Sequence, residues 1–168
     1  LGKEIIFWLL DNLDINEDDN VFIPYNEFLD AYNFDEIVKD KLPKVNLLSL
    51  APTTGPADTV KKCLVHFNIK GRIVLLDGDT WYEENILQKL RETKENLTVY
   101  FESKIKKPLF SYIKIENEII LEIAEKRKIS DYANTGCYVF NSATKVLEYI
   151  KKAENDSEIY ISYIIELM

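Results

Sequence analysis

The chain has 168 residues, of which 46% are hydrophobic and 12% aromatic, and this length and composition predict a globular protein with a core of its own. Its 29 acidic and 21 basic residues give a formal net charge of −8 without a dense Lys/Arg stripe, which excludes a nucleic-acid polymer as the expected partner. Cys63 and Cys137 are too few for a disulfide framework or a zinc site and fit a reducing cytoplasm, and no apolar stretch approaches the roughly 20 residues of a membrane span.

Short apolar runs alternate with helical patterns along the chain, which is typical of an α/β fold. In the first half this pattern predicts an amphipathic helix over 1–12, a strand over 20–24, one or two short helical turns over 27–40, a strand over 45–50 and a helix over 56–67. Because the first residue is leucine rather than methionine, we expect the chain to open inside a fold.

The second half continues the alternation. It predicts strands over 73–76 and 97–102, a helix near 83–90, a β-hairpin formed by 110–115 and 119–123, a strand over 136–140, a helix over 143–152 and the start of another helix at residue 157 or 158. We therefore expect a single, incomplete α/β domain over 1–168: a doubly wound, mostly parallel mixed sheet with helices on both faces and a β-hairpin insertion, in a Rossmann-like arrangement.

The apolar run 73–76 ends in two carboxylates separated by one glycine, Asp77-Gly78-Asp79. The run predicts a strand buried on both faces of a parallel sheet, and ligands of such sheets bind at the carboxyl ends of the strands. Gly78 lets the backbone turn sharply beside a phosphate, and carboxylate oxygens suit Mg²⁺ or Mn²⁺. The alternative is that one aspartate caps the next helix and the other belongs to a turn.

A second motif is the turn Thr53-Thr54-Gly55-Pro56, which joins a predicted strand to a predicted helix. Pro56 suits the first position of that helix. The backbone N–H groups of the turn and the positive end of the helix dipole could meet a nucleotide. An ordinary helix start is the open alternative, because such turns are common.

The segment 122–128 brings an acid and a base side by side at a strand end. Adjacent residues of an extended strand point to opposite faces, so Glu125 and Lys126 can reach one ligand only if the strand end is irregular. Glu125 would then accept hydrogen bonds from ligand hydroxyls, and Lys126, with Arg127 and Lys128 nearby, would offset phosphate charge. The alternative is a solvated charged turn.

Small and amide residues, Asn134-Thr135-Gly136, precede an aromatic strand. Gly136 would permit a ligand ring to approach the backbone, and Asn134 supplies a donor and an acceptor. The alternative is a turn that leads into a core strand, in which either Tyr138 with Phe140 or the alternating residues between them face the core.

Together these segments resemble the sugar-phosphate nucleotidyltransferases, the nucleoside-diphosphate-sugar pyrophosphorylase family, over nearly the whole chain. Thr54-Gly55-Pro56-Ala57-Asp58-Thr59 resembles the loop of that family against the nucleobase, and Asp79 resembles its Mg²⁺-binding aspartate. Glu125-Lys126 resembles the pair for sugar hydroxyls and phosphate, and Asn134-Thr135-Gly136-Cys137-Tyr138 resembles the sugar-side Asn-x-Gly-x-Tyr element.

The chain departs from the family pattern at two points. The glycine-rich Gly-x-Gly-x-Arg segment and the following Pro-Lys pair, which precede the first helix in the family, do not occur in this sequence. A second metal-binding aspartate, expected beyond 160–168, is also missing. We therefore expect a fragment of a longer protein rather than a degenerate enzyme.

The resemblance implies that a phosphate oxygen of a small phosphorylated acceptor attacks the α-phosphorus of a nucleoside triphosphate and that pyrophosphate leaves, in a cytoplasmic enzyme of the kind that serves polysaccharide biosynthesis. In that mechanism Mg²⁺ on Asp79 bridges phosphate oxygens, Lys126 steadies the acceptor phosphate, and Asp77 is a ligand or a hydrogen-bond acceptor beside it. The remaining substrate-binding positions that the resemblance implies are Thr54, Gly55, Thr59, Gly78, Glu125, Asn134, Thr135 and Gly136. An aromatic surface around Tyr160 and Tyr163 is a candidate homo-oligomer interface.

Two other functions stay open. A metal-dependent glycosyltransferase would use Asp77-Gly78-Asp79 as an Asp-x-Asp motif on the diphosphate of a sugar donor. A non-catalytic binding or regulatory module would have kept the fold and lost the glycine-rich loop.

Overall fold

The structure is a computed structural model that describes residues 2–153 and 158–168. In chain order its elements are α1 (Ile5–Asp11), β1 (Phe22–Asn26), a 3₁₀ helix (Glu27–Tyr32), α2 (Phe34–Lys41), β2 (Asn46–Leu50), α3 (Pro56–His66), β3 (Ile73–Leu76), α4 (Ile86–Glu92), β4 (Leu97–Glu102), β5 (Ser111–Glu116), β6 (Ile119–Glu125), β7 (Tyr132–Phe140), α5 (Ala143–Ala153) and α6 (Ile161–Leu167). None of the helices in these two ranges has the length and hydropathy that crossing a bilayer requires.

Strand β7 is the centre of the larger sheet. It pairs antiparallel with β3 on one side and with β4 on the other, and it meets β5 where Tyr112 lies opposite Ala133. The β5–β6 hairpin extends this sheet, while β1 and β2 form a separate parallel pair. The α/β class, the mixed sheet and the hairpin are confirmed.

The share of parallel pairing is smaller than expected. Among the described strands only β1 and β2 pair in parallel, because β7 runs antiparallel to both of its main neighbours, β3 and β4. Strand β3 is also less enclosed than its apolar run predicts, since it pairs with β7 alone and Val74 is 37% exposed. An uninterrupted apolar run therefore did not mean burial on both faces here.

Both faces of β7 are buried, and this settles which side chains of the strand face a core. Tyr138 and Phe140 pack with α3, α5 and α6 in one cluster, whereas Cys137 and Val139 pack with α1 and α4 in another. Burial of each such apolar side chain contributes on the order of 1.5–3 kcal/mol. The expectation of helices on both faces is confirmed. Tyr138 and Phe140 face one core, and Cys137 and Val139 face the other.

The largest difference from the expected boundaries is at β7, which begins at Tyr132 rather than at residue 136. The small and amide residues that indicated a turn are part of the strand. Helix α6 begins at Ile161, later than Glu158, and the other expected start, residue 157, lies outside the described residues. The hairpin turn has the expected place, and positive φ at Asn117 (49°) and Glu118 (64°) identifies the two-residue I′ type that matches strand twist.

Candidate functional site

The residue after β3, Asp77, lies directly against Gly136 of β7. The Asp77 N–H donates to the Gly136 carbonyl at 3.1 Å. A Cβ added to Gly136 would lie 2.0 Å from Oδ2 of Asp77, and the glycine has φ +79°, which side chains rarely adopt. The glycine thus makes room for the carboxylate, and two of the motifs found in the sequence meet at this contact.

A bulge in β7 produces this arrangement. In the pairing of β4 with β7, Thr98 lies opposite Tyr138 and Tyr100 lies opposite Asn134. Between these two pairs β7 therefore contains more residues than β4 does. The Asn134 side chain spans the bulge, because its Oδ1 accepts from the Gly136 N–H at 2.6 Å and its amide donates to the Thr98 hydroxyl. Bulges of this kind are common beside active sites, where they redirect the chain.

Asn134 and Thr135 are therefore engaged by the protein itself. Asn134 is only 5% exposed. Thr135 donates its hydroxyl to the Val99 carbonyl at 3.0 Å, and its own carbonyl accepts from the Thr80 hydroxyl at 3.1 Å. Both residues shape the backbone under the Asp77 carboxylate, and direct contact of either with a substrate stays a prediction.

Asp77 is in an electrostatically strained environment. Solvent reaches its side chain, yet the surrounding protein removes enough hydration, with further contributions from the negative charges of Asp79 and Glu125, to raise the pKa of Asp77 to about 6. Asp79 and Glu125 are thus each close enough to repel the Asp77 carboxylate. The alternative helix-capping role is wrong for either aspartate, because the residue at the start of α4 is Asn85.

The donor set at this edge fits Mg²⁺. Asp77 and Asp79 offer hard carboxylate oxygens, and their mutual repulsion is what a divalent cation would offset. No group of at least three His, Cys, Asp or Glu side chains able to hold a metal occurs in the part of the chain that the structure describes. The other ligands would have to be phosphate and water oxygens, which is the usual mode of Mg²⁺ binding in phosphoryl-transfer sites.

The end of β6 has the irregular geometry that the Glu125–Lys126 pair requires. Glu125 is the last strand residue, and Lys126 has the left-handed φ of 49°. The Glu125 carboxylate accepts from the hydroxyls of Ser111 and Ser162, the latter at 2.8 Å. The Lys126 ammonium donates to the Tyr160 hydroxyl at 2.7 Å, and this bond raises the pKa of Lys126.

Both residues of the pair line one pocket of about 650 Å³. Its walls are formed by Glu125, Lys126, Ala153, Glu158, Ile159, Tyr160, Tyr163, Glu166 and Leu167. Carboxylates therefore outnumber the single lysine in this lining. Such a lining can accept several hydrogen bonds from ligand hydroxyls while the lysine holds one anionic group.

The basic cluster at 126–128 is dispersed in the structure, and the expectation that it acts together on phosphate is wrong. Arg127 pairs with Glu122 at 3.0 Å. Lys128 donates to the carbonyls of Ser103 and Ile105 at 3.0 and 2.9 Å, which ties the segment after β4 to the segment after β6. Left-handed backbone at Lys126 directs only that side chain to the pocket.

The Gly55 turn packs beside the same pocket. Gly55 precedes α3 with φ 152°, and a Cβ there would lie 2.8 Å from Cγ of Glu158. The Ala57 N–H donates to the Ile159 carbonyl at 3.1 Å. The Thr54 N–H donates to Asp58 at 3.1 Å, and this bond and the Pro56 start confirm the ordinary helix-start features of the turn.

Thr59 faces back into this turn. Its hydroxyl bonds the Thr53 hydroxyl at 2.7 Å and the Gly55 carbonyl at 3.3 Å. Thr59 therefore stabilises the turn. A nucleotide contact by Thr54, Gly55 or Thr59 stays a prediction.

Sequence reasoning missed Glu158 and Tyr160 as parts of the site. The sequence indicates Tyr160 as part of a candidate interface, whereas in the structure its hydroxyl bonds both Lys126 and Glu158, at 2.7 and 2.6 Å. Tyr163, next to it at 6.0 Å between ring centroids, is 39% exposed. The only sequence signal was an acid and a tyrosine two residues apart before a helix, which has no specific meaning until the chain folds.

A model of the family described as nucleotidyl transferase matches residues 12–167 of the chain. Among curated proteins none matches the chain.

Solved structures match the fold over nearly all of the chain. The nucleoside-diphosphate-sugar pyrophosphorylase from Vibrio cholerae RC9 is 19% identical with a TM-score of 0.70, and the match covers 99% of this chain and 76% of that one. The inositol-1-phosphate CTP transferase from T. maritima is 15% identical with a TM-score of 0.77, covering 99% and 68%. A Bacillus anthracis protein assigned as a glucose-1-phosphate thymidylyltransferase, in complex with sucrose, is 23% identical with a TM-score of 0.71, covering 96% and 67%. At these identities the likeness establishes the fold.

Proposed function

Since the chain belongs to the nucleotidyl transferase family, we propose that it transfers a nucleoside monophosphate from a nucleoside triphosphate to a sugar phosphate or a similar small phosphate compound, with release of pyrophosphate. One observation carries the proposal: Asp77 lies against Gly136 of β7, and Glu125 ends β6 in the hairpin that pairs with the same strand, close enough for its charge to raise the pKa of Asp77. A metal-binding edge and an acceptor pocket side by side suit the joining of two phosphorylated substrates.

The proposed reaction is an in-line displacement at the α-phosphorus. A phosphate oxygen of the acceptor forms a bond to that phosphorus, the bond to the bridging oxygen of the β-phosphate breaks, and pyrophosphate leaves with the electron pair. Positioning and charge neutralisation supply most of the rate in such transfers. The protein therefore needs fixed charges and donors more than it needs a nucleophile.

The pocket residues have distinct proposed roles. Lys126 donates to the acceptor phosphate and offsets its charge, and Glu125 accepts hydrogen bonds from acceptor hydroxyls. Ser111 and Ser162 already donate to the Glu125 carboxylate and hold it in place. On the other side, the backbone of the Gly55 turn is the proposed surface for the nucleobase.

Asp79 and Asp77 would hold Mg²⁺. When bound, the ion would neutralise charge on the phosphate oxygens and stabilise the charge that develops in the transition state. Ionised Asp77 is required for this binding, and its pKa of about 6 leaves it mostly ionised at neutral pH. Gly136 keeps the Asp77 carboxylate close to the β7 backbone, and so limits the positions that the carboxylate can take.

A polyhydroxylated phosphate is the acceptor class that we propose first. The pocket lining offers three carboxylates, Glu125, Glu158 and Glu166, against one lysine, and this ratio suits many hydroxyls and one phosphate. The names of the structural neighbours point the same way, since they include a glucose-1-phosphate and an inositol-1-phosphate enzyme. The chain itself leaves the nucleobase open.

The test is pyrophosphate release by the intact protein with MgCl₂, each of ATP, CTP, GTP, UTP and dTTP, and a panel of acceptors that includes glucose 1-phosphate, inositol 1-phosphate and phosphocholine. Release that depends on both one nucleotide and one acceptor supports the proposal. Release of nucleoside diphosphate from an activated sugar, without pyrophosphate, identifies a glycosyltransferase instead. Nucleotide binding without any turnover identifies a binding module.

A further inference from the structure

The hydroxyl of Tyr160 lies between a cation and an anion. It accepts a hydrogen bond from the Lys126 ammonium at 2.7 Å and donates one to Oε2 of Glu158 at 2.6 Å. Because the tyrosine proton is committed to Glu158, a lone pair of the hydroxyl faces Lys126, and this oxygen is the group of Tyr160 that holds the lysine.

The residues beside Tyr160 rest on the Gly55 turn. The Ile159 carbonyl accepts from the Ala57 N–H at 3.1 Å, and the Glu158 side chain occupies the space that a Cβ of Gly55 would need. Segment 158–160 therefore touches the turn on one side and Lys126 on the other. The three residues of this segment therefore connect the Gly55 turn, which we assign to the nucleobase, with Lys126, which we assign to the acceptor phosphate.

We propose that Tyr160 is a positioning residue that holds the Lys126 ammonium at the pocket for the acceptor phosphate, and that segment 158–160 couples this lysine to the Gly55 turn. The assignment of Lys126 to the acceptor rests on the proposed function, whereas the contact of Tyr160 with Lys126 does not. Lysine has a long flexible side chain, so a lysine that is already held loses less freedom when a ligand binds. An ammonium has three N–H donors, and one bond to Tyr160 leaves donors for a phosphate.

The test variant is Tyr160→Phe, which removes the hydroxyl and keeps the ring. Tyr149→Phe is the matched control, because the Lys152 ammonium lies 4.7 Å from the Tyr149 ring centroid and neither of these two residues lines the pocket. Glu158→Gln is a second test variant that keeps the tyrosine and alters only the acceptor of its proton. Thermal melts of each variant establish that it is folded.

The first readout is independent of turnover. Lys126 and Lys152 are acylated with a small amine-reactive reagent at fixed pH, and the rate for each lysine is followed by peptide mass spectrometry. Loss of one hydrogen bond is expected to speed Lys126 acylation by about threefold to tenfold in Tyr160→Phe, with no change at Lys152. Tyr149→Phe is expected to leave the Lys126 rate unchanged.

The second readout is kinetic, with the acceptor of the panel that gives turnover as the probe. Tyr160→Phe is expected to raise KM for that acceptor by about threefold to tenfold and to leave KM for the nucleotide within twofold. Glu158→Gln is expected to raise only KM for the acceptor, since it keeps the Cγ that packs beside Gly55, whereas Glu158→Ala, which removes that Cγ, is expected to raise both KM values.

An unchanged Lys126 acylation rate in folded Tyr160→Phe overturns the proposal, and so does an equal rise of both KM values in that variant. If the unmodified protein turns over no pair of substrates, the proposed function fails. The acylation rates still decide the role of Tyr160 in that case, with protection of Lys126 by inorganic phosphate as the probe: equal protection in Tyr160→Phe and the unmodified chain overturns the positioning role.

Discussion

The Asp77 carboxylate rests on the α-carbon of Gly136, so that Oδ2 occupies the place of the missing Cβ, 2.0 Å from where that atom would be. The same two residues are joined by the bond from the Asp77 N–H to the Gly136 carbonyl at 3.1 Å. A carboxylate at the end of β3 is thus fixed by the backbone of β7. A change in the β7 backbone at this point would therefore move the Asp77 carboxylate, which we propose as a ligand of Mg²⁺.

Gly136→Ala is expected to displace the carboxylate and to strain the strand. The new methyl group cannot occupy the same space as Oδ2, and φ +79° costs a non-glycine residue about 1–3 kcal/mol. We expect the free energy of unfolding in urea to fall by about this amount, and pyrophosphate release to fall by at least about 100-fold because the carboxylate that we propose as a metal ligand moves.

Gly71→Ala is the control for this variant, because no atom lies within 4 Å of a Cβ at Gly71. It is expected to change stability by less than about 0.5 kcal/mol and to leave turnover unchanged. Full turnover by Gly136→Ala would mean that Asp77 need not occupy its observed position.

Local pattern predicted the elements whose sequence signal is local. The run of four aliphatic residues and the turn after it predict β3 with its observed ends, Ile73–Leu76. The place of the hairpin turn also follows from neighbouring residues. The irregular end of β6 does not, because the Lys126 N–H donates to the Phe110 carbonyl across the hairpin at 3.0 Å.

The arrangement of the site could not be read in this way, because it depends on pairing between distant strands. Nothing near Gly136 in the sequence indicates that β7 enters between β3 and β4, or that its bulge meets Asp77. Lys128 illustrates the reverse case: its charge indicated phosphate binding, but the ammonium pairs with Asp131 at 2.9 Å and donates to two carbonyls after β4. A charged residue in a sequence has many possible partners, and the fold selects among them.

The elevated pKa of Asp77 predicts a specific pH dependence of stability. Its pKa is about 6 in the folded chain and near the ordinary 3.8 when unfolded, so the folded state binds more protons between these values. Stability is therefore expected to fall as pH rises from about 4 to about 6. The Asp77→Asn variant is expected to lose this component and to unfold at a higher temperature than the unmodified chain at pH 7. Melting temperatures of both proteins between pH 4 and 8, without divalent cations, check this. A parallel pH profile for the two proteins contradicts it.

Mg²⁺ is expected to offset, at neutral pH, the loss of stability that ionisation of Asp77 causes. The ion binds ionised carboxylates. For a Kd of about 0.1 mM, MgCl₂ at about 10 mM is roughly 100 Kd and would stabilise the chain at pH 7.5 by up to about 2.7 kcal/mol. At pH 5 Asp77 is mostly protonated and the effect should be smaller. Melting temperatures in MgCl₂ and in NaCl of equal ionic strength separate metal binding from screening. Equal effects of the two salts contradict a site at Asp77 and Asp79.

Asp79→Asn is expected to reduce turnover by at least about 100-fold while the protein stays folded, because the change removes the charge that we propose binds the metal and almost no volume. Asp79 is exposed, so its replacement disturbs no core. Pyrophosphate release and a melting curve measure the two effects. Asp18→Asn, at another exposed aspartate, is the matched control and should be indistinguishable from the unmodified protein. Near-normal turnover of Asp79→Asn excludes Asp79 as the ligand.

Lys126→Ala is expected to weaken the acceptor more than the nucleotide. The lysine lines the pocket that we propose for the acceptor, and loss of a charged hydrogen bond to phosphate would raise KM by about 10- to 100-fold for that substrate alone. Arg127→Ala is the matched control, since the adjacent guanidinium pairs with Glu122 at 3.0 Å and does not line the pocket. The kinetic constants for both substrates in both variants decide the assignment. Lys126 and Arg127 are neighbours in the sequence with the same charge, so an effect selective for Lys126 reflects its place at the pocket, which the left-handed backbone and the bond to Tyr160 set. Equal weakening of both substrates contradicts the assignment of Lys126 to the acceptor.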